Sequence, residues 1–288
     1  MKRGLLFLVS LLLSVALAQF PRTVTDDAGR SVTLKKAPQR IVSMLPSATE
    51  TICSLSEAAC KRIVATDQFS NWPEMVKGLP KAGGFINPNP ELIVSLKPDL
   101  VIISQGRLLE ALERAGLTVY VTNPKTYDDI FRTARAYAEL LGLRAEAERL
   151  VARVQAEVFA LETRAAKASE RPLVYYEIDP TPYTVGPSSF IGTLISKARG
   201  QNIIPAELGP FPRINPELVV QKKPQVMVVT HPEVSAIRNR PGWASVPAVR
   251  NNRICAFSGE ASDLLSRPGP RVAQGLKLLI ECFHPSLK

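Results

Sequence analysis

An internal repeat constrains this chain more than any other feature. The segment Asn89-Pro90-Glu91-Leu92-Ile93-Val94-Ser95-Leu96-Lys97-Pro98-Asp99-Leu100-Val101-Ile102 returns, without a gap, as Asn215-Pro216-Glu217-Leu218-Val219-Val220-Gln221-Lys222-Lys223-Pro224-Gln225-Val226-Met227-Val228. The match reaches back to Phe85 and Phe211, each four residues ahead of its Asn. Local chemistry makes the unit a short helix followed by a strand. Asn caps a helix well, and Pro is favoured at the first helical position. Glu in the first turn opposes the positive end of the helix dipole. Lys-Pro then stops the helix, and the apolar run beyond it suits a buried strand. Helix-start chemistry would account for either Glu91 or Glu217 alone. Duplication adds a pairing: two lobes of one architecture would carry equivalent carboxylates on equivalent surfaces. They would also carry equivalent aromatics on the approach to each helix. Paired aromatics at a cleft are what a large, flat ligand needs.

Around the repeat, strand and helix patterns alternate. Strands are predicted over 40–44, 62–65, 100–103 and 118–121, with helices over 49–55, 90–96 and 108–115. After residue 168 the alternation resumes, with strands over 173–178, 226–229 and 253–257 and helices over 190–198, 216–221 and 272–282. Thr23-Val24-Thr25 and Ser31-Val32-Thr33-Leu34 flank a glycine turn and predict a hairpin. Such alternation implies parallel sheet with helices on its faces. Between the two runs lie a helix over 127–141 and a longer one from Arg144. In the longer helix Ala147, Leu150, Val151, Val154, Val158 and Leu161 share one face. Arg144 with Glu148, and Arg153 with Glu157, are spaced to pair along it. The expected fold is α/β: two lobes with central β-sheets flanked by helices, joined by one long helix. The expected divisions are 1–18, an N-terminal lobe 19–143, a connecting helix 144–168 and a C-terminal lobe 169–288.

The first 18 residues read as an export signal. Lys2 and Arg3 precede an apolar run from Leu5 to Leu13, and Ala16-Leu17-Ala18 offers small residues for cleavage after Ala18. The run is short of the roughly 20 residues a membrane span needs; an uncleaved anchor is the alternative. No Cys follows the cut, which argues against a lipid anchor, and no later apolar run is long enough to span. The mature chain is therefore expected to be exported, soluble and periplasmic. The formal charge of +10 leaves an acidic ligand or surface open as a partner. Without Lys/Arg runs interleaved with aromatics, it does not suggest nucleic acid. Four Cys in an oxidising compartment allow three pairings. Proximity favours Cys53–Cys60 and Cys255–Cys282, with buried free thiols as the alternative. No C-x-x-C occurs and only His231 and His284 are present, so no metal site is expected. His231, before Pro232, reads as a loop histidine, and Trp72 and Trp243, beside Pro and Gly, as loop-packing residues. No G-x-S-x-G, H-E-x-x-H or phosphate-cradling Gly loop is found, so no catalytic residue, cofactor or enzymatic activity is expected.

Two further motifs complete a family pattern. Arg40-Ile41-Val42-Ser43 leads to Pro46-Ser47-Ala48-Thr49-Glu50, and Arg267-Pro268-Gly269-Pro270-Arg271 precedes the last helix. With Glu91 and the Leu96-to-Ile102 run, the chain resembles, over nearly all its mature length, periplasmic binding proteins of ABC importers for cobalamin, haem and ferric siderophores. It is most similar to the cobalamin binders. The resemblance implies two α/β lobes joined by a single rigid helix, a ligand between them, little closure and a monomer when free. It implies that Glu91 and Glu217 dock into Arg pockets of a permease dimer, which a cytoplasmic ATPase powers. Phe69, Phe85, Tyr183 and Phe211 fall at positions that line the cleft, with Pro46 and Ser47 at the end of the first strand and Asp263 and Leu265 opposite. Ser104 departs from the pattern, standing where the best-known cobalamin binder has Trp, and Phe replaces Trp at Phe85 and Phe211. That protein also ties a helix of its C-terminal lobe to the last helix by a disulfide. Ala198 stands at the first of those positions here, which leaves Cys255 as the partner of Cys282. A cobalamin or other corrinoid is the expected ligand. Haem, through Tyr183, or an anionic siderophore, through Arg107, Arg213, Arg238 or Arg267, is the alternative, and an exported enzyme the remaining one.

Overall fold

A computed structural model describes residues 20–104, 106 and 108–287. The expected signal, its cleavage after Ala18, and Arg107 lie outside the described residues. β1 (Arg22–Thr25) and β2 (Ser31–Leu34) form the expected antiparallel hairpin. β3 (Ile41–Ser43), β4 (Ile63–Thr66), β5 (Leu100–Ile103) and β6 (Val119–Val121) form a parallel sheet in the order β4-β3-β5-β6. β7 (Leu173–Asp179), β8 (Tyr183–Thr184), β9 (Gln201–Asn202), β10 (Val226–Val229) and β11 (Ile254–Ala256) form the second sheet. There β9, β7, β10 and β11 run parallel in that order, repeating the first sheet, and β8 adds an antiparallel edge. The fold is thus mixed α/β, with central parallel sheets flanked by helices.

The repeat is preserved down to backbone angles. Asn89 and Asn215 cap helices Pro90–Ser95 and Pro216–Lys222 with their side chains. Lys97 and Lys223, equivalent in the repeat, are both left-handed, with φ of 48° and 49°. That turn is costly for a side-chain-bearing residue. It redirects the chain through Pro98 or Pro224 into β5 or β10, whose residues are all buried. The equivalence also starts earlier than the sequence shows. Gly83 and Gly209 occupy matching positions with φ of 86° and 82°, a conformation glycine adopts without strain.

The helices Tyr127–Leu141 and Arg144–Ala165 pack on one another, the first closed by a capping box at Thr126 and a left-handed Gly142. Ala147, Leu150, Val151, Val154 and Val158 are buried as the periodicity requires. The expected pairs along the long helix do not form. Arg144 pairs with Glu139 and Arg135 with Glu148, across the two helices, because the antiparallel neighbour brings opposite charges nearer than the next turn does. One apolar cluster runs from the first sheet through these helices to the last helix, Val272–Phe283, and into the second sheet.

Both expected disulfides, Cys53–Cys60 and Cys255–Cys282, are formed, and no described cysteine is free. The second ties β11 to the last helix across a separation of 27 residues, against 7 for the first. Loop-closure entropy makes the longer bridge worth about 3–4 kcal/mol and the shorter about 2–3 kcal/mol. Replacing Cys255 and Cys282 with Ser should therefore lower the urea midpoint more than replacing Cys53 and Cys60. The reverse order would refute that ranking.

Candidate functional site

Ligands of open parallel sheets bind outside the carboxyl ends of the strands. In the first sheet those ends lead into residues 44–47, 67–72, 104 and 122–125. A cavity of about 280 Å³ lies between these loops and the segment 266–268, with Pro46, Ser47, Ser104, Asn123, Ser266 and Arg267 on its walls. A second, of about 260 Å³, also reaches Ser104 and is walled by Met44, Phe85, Ile86, Ile103 and Leu108. Ser104 lines both, and both are walled mainly by apolar surface, with Ser47, Asn123 and Arg267 adding polar groups to the first. Their joint size falls in the range of roughly 300–1,000 Å³ that suits a small-molecule ligand. Phe69, Phe85 and Ile86 are 58%, 75% and 93% exposed. Phe85 and Ile86 wall the second cavity, and such exposure of adjacent large apolar groups marks a contact surface; Phe69 is on the wall of neither cavity, but its carbonyl is bonded to Arg267, which lines the first.

The two repeat-equivalent phenylalanines are not equally placed. Phe85 stands free, whereas Phe211 is half-buried, its ring 6.4 Å from that of Phe190 and tilted by 55°. Tyr183 lies beside it. The Thr184 N–H donates to Pro212 O at 3.0 Å and the Gly186 N–H to Pro210 O at 2.8 Å, laying 183–186 along 210–213. The Tyr183 hydroxyl has no hydrogen-bond partner among the described residues.

Asp263 and Leu265, expected together on the opposite wall, are separated. They sit on a helix, Gly259–Ser266, that the sequence reading missed. Residues i and i+2 of a helix point in different directions. Leu265 is fully buried, and Ser266 and Arg267 take its place at the cavity. Asp263 accepts from Asn71 Nδ2 at 2.8 Å and pairs with Arg267 at 2.8 Å. It lines a polar cavity of about 220 Å³ with Trp72, Glu260 and Arg271. Trp72 packs under the Arg271 guanidinium, and Trp243 is buried under that of Arg240, so each tryptophan supports a loop.

The two family motifs meet here. Glu50 Oε1 accepts from Arg267 Nη1 at 2.6 Å and Arg271 Nη2 at 2.7 Å, and Oε2 accepts from Arg271 Nε at 2.9 Å. Burial works against the Arg271 charge, but hydrogen bonds and attraction to Glu50 prevail and raise its pKa. Arg267 also donates to Asn71 Oδ1 at 2.9 Å and Phe69 O at 3.0 Å. Separate motifs in the sequence gave no sign of this joint.

Neither histidine offers a simple ligand. His231 is in a loop, as expected, but buried: its Nδ1 accepts from the Glu233 N–H at 3.2 Å, so Nε2 donates to Glu177 Oε1 at 2.8 Å. Glu177 also receives both Arg240 Nη groups, at 2.6 and 2.8 Å, and the Tyr175 hydroxyl at 2.9 Å. Burial raises the Tyr175 pKa. His284 is buried against Ala198 O at 3.0 Å, and burial lowers its pKa. No group of acids, His and Cys that could hold a metal occurs among the described residues. Glu91 and Glu217 lie exposed on their two helices, and neither carboxylate has a partner among the described residues.

Residues 41–260 match the periplasmic binding protein family. The chain belongs to that family. It is a binding protein of a transporter, not an enzyme, and an extracytoplasmic protein. An ABC transporter substrate-binding lipoprotein of Bacillus subtilis is 28% identical, covering 92% of this chain and 86% of its own length. A vitamin B12-binding protein of Vibrio vulnificus is 27% identical, covering 88% and 93%. The apo form of a periplasmic haem-binding protein of Roseiflexus superposes with a TM-score of 0.74 at 29% identity, covering 87% and 99%. No described helix is long and apolar enough to cross a membrane.

Proposed function

We propose that this binding protein captures a corrinoid, cobalamin in the simplest case, and delivers it to an ABC importer. The observation that carries the reading is the pair of cavities sharing Ser104, walled mainly by apolar surface that includes Phe85 and Ile86, with the polar side chains of Ser47, Asn123 and Arg267 set into it. A corrin has a broad apolar face and a rim of amide groups, and apolar walls carrying a few polar side chains serve both. Cobalamin also brings its own axial base, so cavities on whose walls neither His231 nor His284 stands suit it. Ser104 leaves room where a bulky side chain would divide the space. Delivery in this reading uses Glu91 and Glu217, one exposed carboxylate on each copy of the repeat.

Titration with cyanocobalamin tests the assignment. One ligand should bind per chain, and Phe85→Ala should weaken binding by about tenfold or more, as expected for losing an aromatic contact. An absence of heat at tens of micromolar would overturn the corrinoid reading. A second reading, haem, has one observation in its favour, the unpartnered Tyr183 hydroxyl beside Phe211. It requires a Soret shift on haem addition that Tyr183→Phe abolishes.

A further inference from the structure

We infer that Asp67 and Ser70 are positioning residues of the capture site, holding the exposed Phe69 ring beside the cavity wall at Arg267 from the loop that follows β4. This rests on the site proposed above, but its geometry stands independently. Phe69 is 58% exposed, yet its backbone is tied on both sides. Its N–H donates to Asp67 Oδ1 at 2.7 Å, and its carbonyl accepts from Arg267 Nη2 at 3.0 Å. Asp67 Oδ1 also accepts the Ser70 N–H at 3.1 Å, and its Oδ2 the Ser70 hydroxyl. Lys81 Nζ donates to Ser70 O at 2.8 Å and Thr66 Oγ1 at 2.8 Å.

The network continues beneath the other cavity wall. Ser70 Oγ lies 3.0 Å from Thr49 Oγ1, whose single proton is within reach of Ser43 Oγ at 2.9 Å and Leu45 O at 3.1 Å. Leu45 itself lines the cavity with Pro46 and Ser47. Ser43, Thr49, Asp67 and Ser70 are all buried. Burial is the largest influence on Asp67 and raises its pKa, overriding the bonds from Ser70 and Phe69 and the nearby Lys81. Burial also lowers the pKa of Lys81. Desolvating so many polar groups is unfavourable unless each is satisfied. The chain sets them under a loop whose most exposed apolar side chain is the Phe69 ring. A turn that merely reversed the chain would need no such support. A ring that must meet a ligand without first being ordered gains affinity from it.

The test compares Asp67→Ala, Asp67→Asn and Phe69→Ala by amide hydrogen exchange, cyanocobalamin titration and thermal unfolding. Asp67→Ala removes the acceptor of both amides, so exchange at Phe69 and Ser70 should accelerate about tenfold or more. Asp67→Asn keeps Oδ1 and should retain most of the protection. Asp67→Ala should weaken cyanocobalamin binding as much as Phe69→Ala does, and the double variant should be no weaker than either alone. A structural role without positioning would instead give unchanged affinity, or losses that add, and either result overturns the inference. So does unchanged exchange in Asp67→Ala. If the unsubstituted protein binds no cyanocobalamin, the corrinoid reading fails, while unchanged exchange in Asp67→Ala would still overturn the hold of Asp67 on the Phe69 turn.

Discussion

Glu50→Ala should lower the melting temperature by on the order of 10 °C. Glu50 lies in the helix Pro46–Leu55, and its carboxylate is 2% exposed. The two guanidiniums it binds belong to the segment entering the last helix and are 9% and 6% exposed. In a buried pair the attraction roughly offsets the desolvation of both partners. Removing one partner spoils that balance and costs about 3–5 kcal/mol, because the remaining charge stays buried. Here two charges are stranded. Arg267 would keep Asp263, and Arg271 would keep Glu260, whose side chain is 73% exposed and therefore a weak partner. Apolar replacement of all three, Glu50→Leu with Arg267→Met and Arg271→Met, should recover most of the loss. The loss would then trace to stranded charge rather than to missing packing. Thermal unfolding and urea midpoints of the two variants check this; a Glu50→Ala protein within about 1 kcal/mol of the parent would contradict it.

Why that joint was invisible in the sequence is instructive. Glu50 and Arg271 lie far apart in the chain, and nothing in either motif states which partner it meets. The repeat was legible because its determinants are local: an N-cap, a proline, a first-turn carboxylate and an apolar strand within one window. The strands 100–103 and 226–229 were read to the residue for the same reason. The disulfides were legible because short separations leave few partners. The helix Gly259–Ser266 was missed because it is only two turns long and opens on Gly, so its apolar positions, Ala261, Leu264 and Leu265, make too short a stripe to stand out. Asp263 and Leu265 were expected together from the family resemblance, which does not show that two positions apart on a helix they point different ways. The buried Glu177 with His231 and Arg240 was missed because Glu and Arg are mostly exposed and His only intermediate in burial; the fold brings Glu177 of β7 to His231, just past β10, and to Arg240, past the helix Val234–Ile237. The equivalence of Gly83 and Gly209 was present in the sequence, but too few neighbours matched to reveal it.

Glu91→Lys combined with Glu217→Lys should abolish ligand uptake while leaving ligand affinity unchanged. Both carboxylates sit in the first turn of a short helix, at equivalent positions of the repeat, exposed and unpartnered among the described residues. Their contribution to their own helices is a dipole interaction of about 0.3–1 kcal/mol each, so reversal should cost little stability. Neither residue lines the cavities at Ser104. What reversal changes is the surface seen by a partner. On the proposed reading each carboxylate meets a cationic pocket of a permease dimer, and a like charge placed there costs several kcal/mol. Two such contacts acting together set the orientation in which the cleft faces the translocation path. Each single variant should therefore retain reduced uptake, and the pair should lose it. Uptake by the reconstituted importer, measured beside cyanocobalamin titration of the isolated variants, separates docking from capture. Normal uptake by the double variant would remove the docking role from both residues. Lost affinity would place them in the ligand site instead. A transport defect reversed by exchanging charge on the permease would identify its pockets as the partners of this pair.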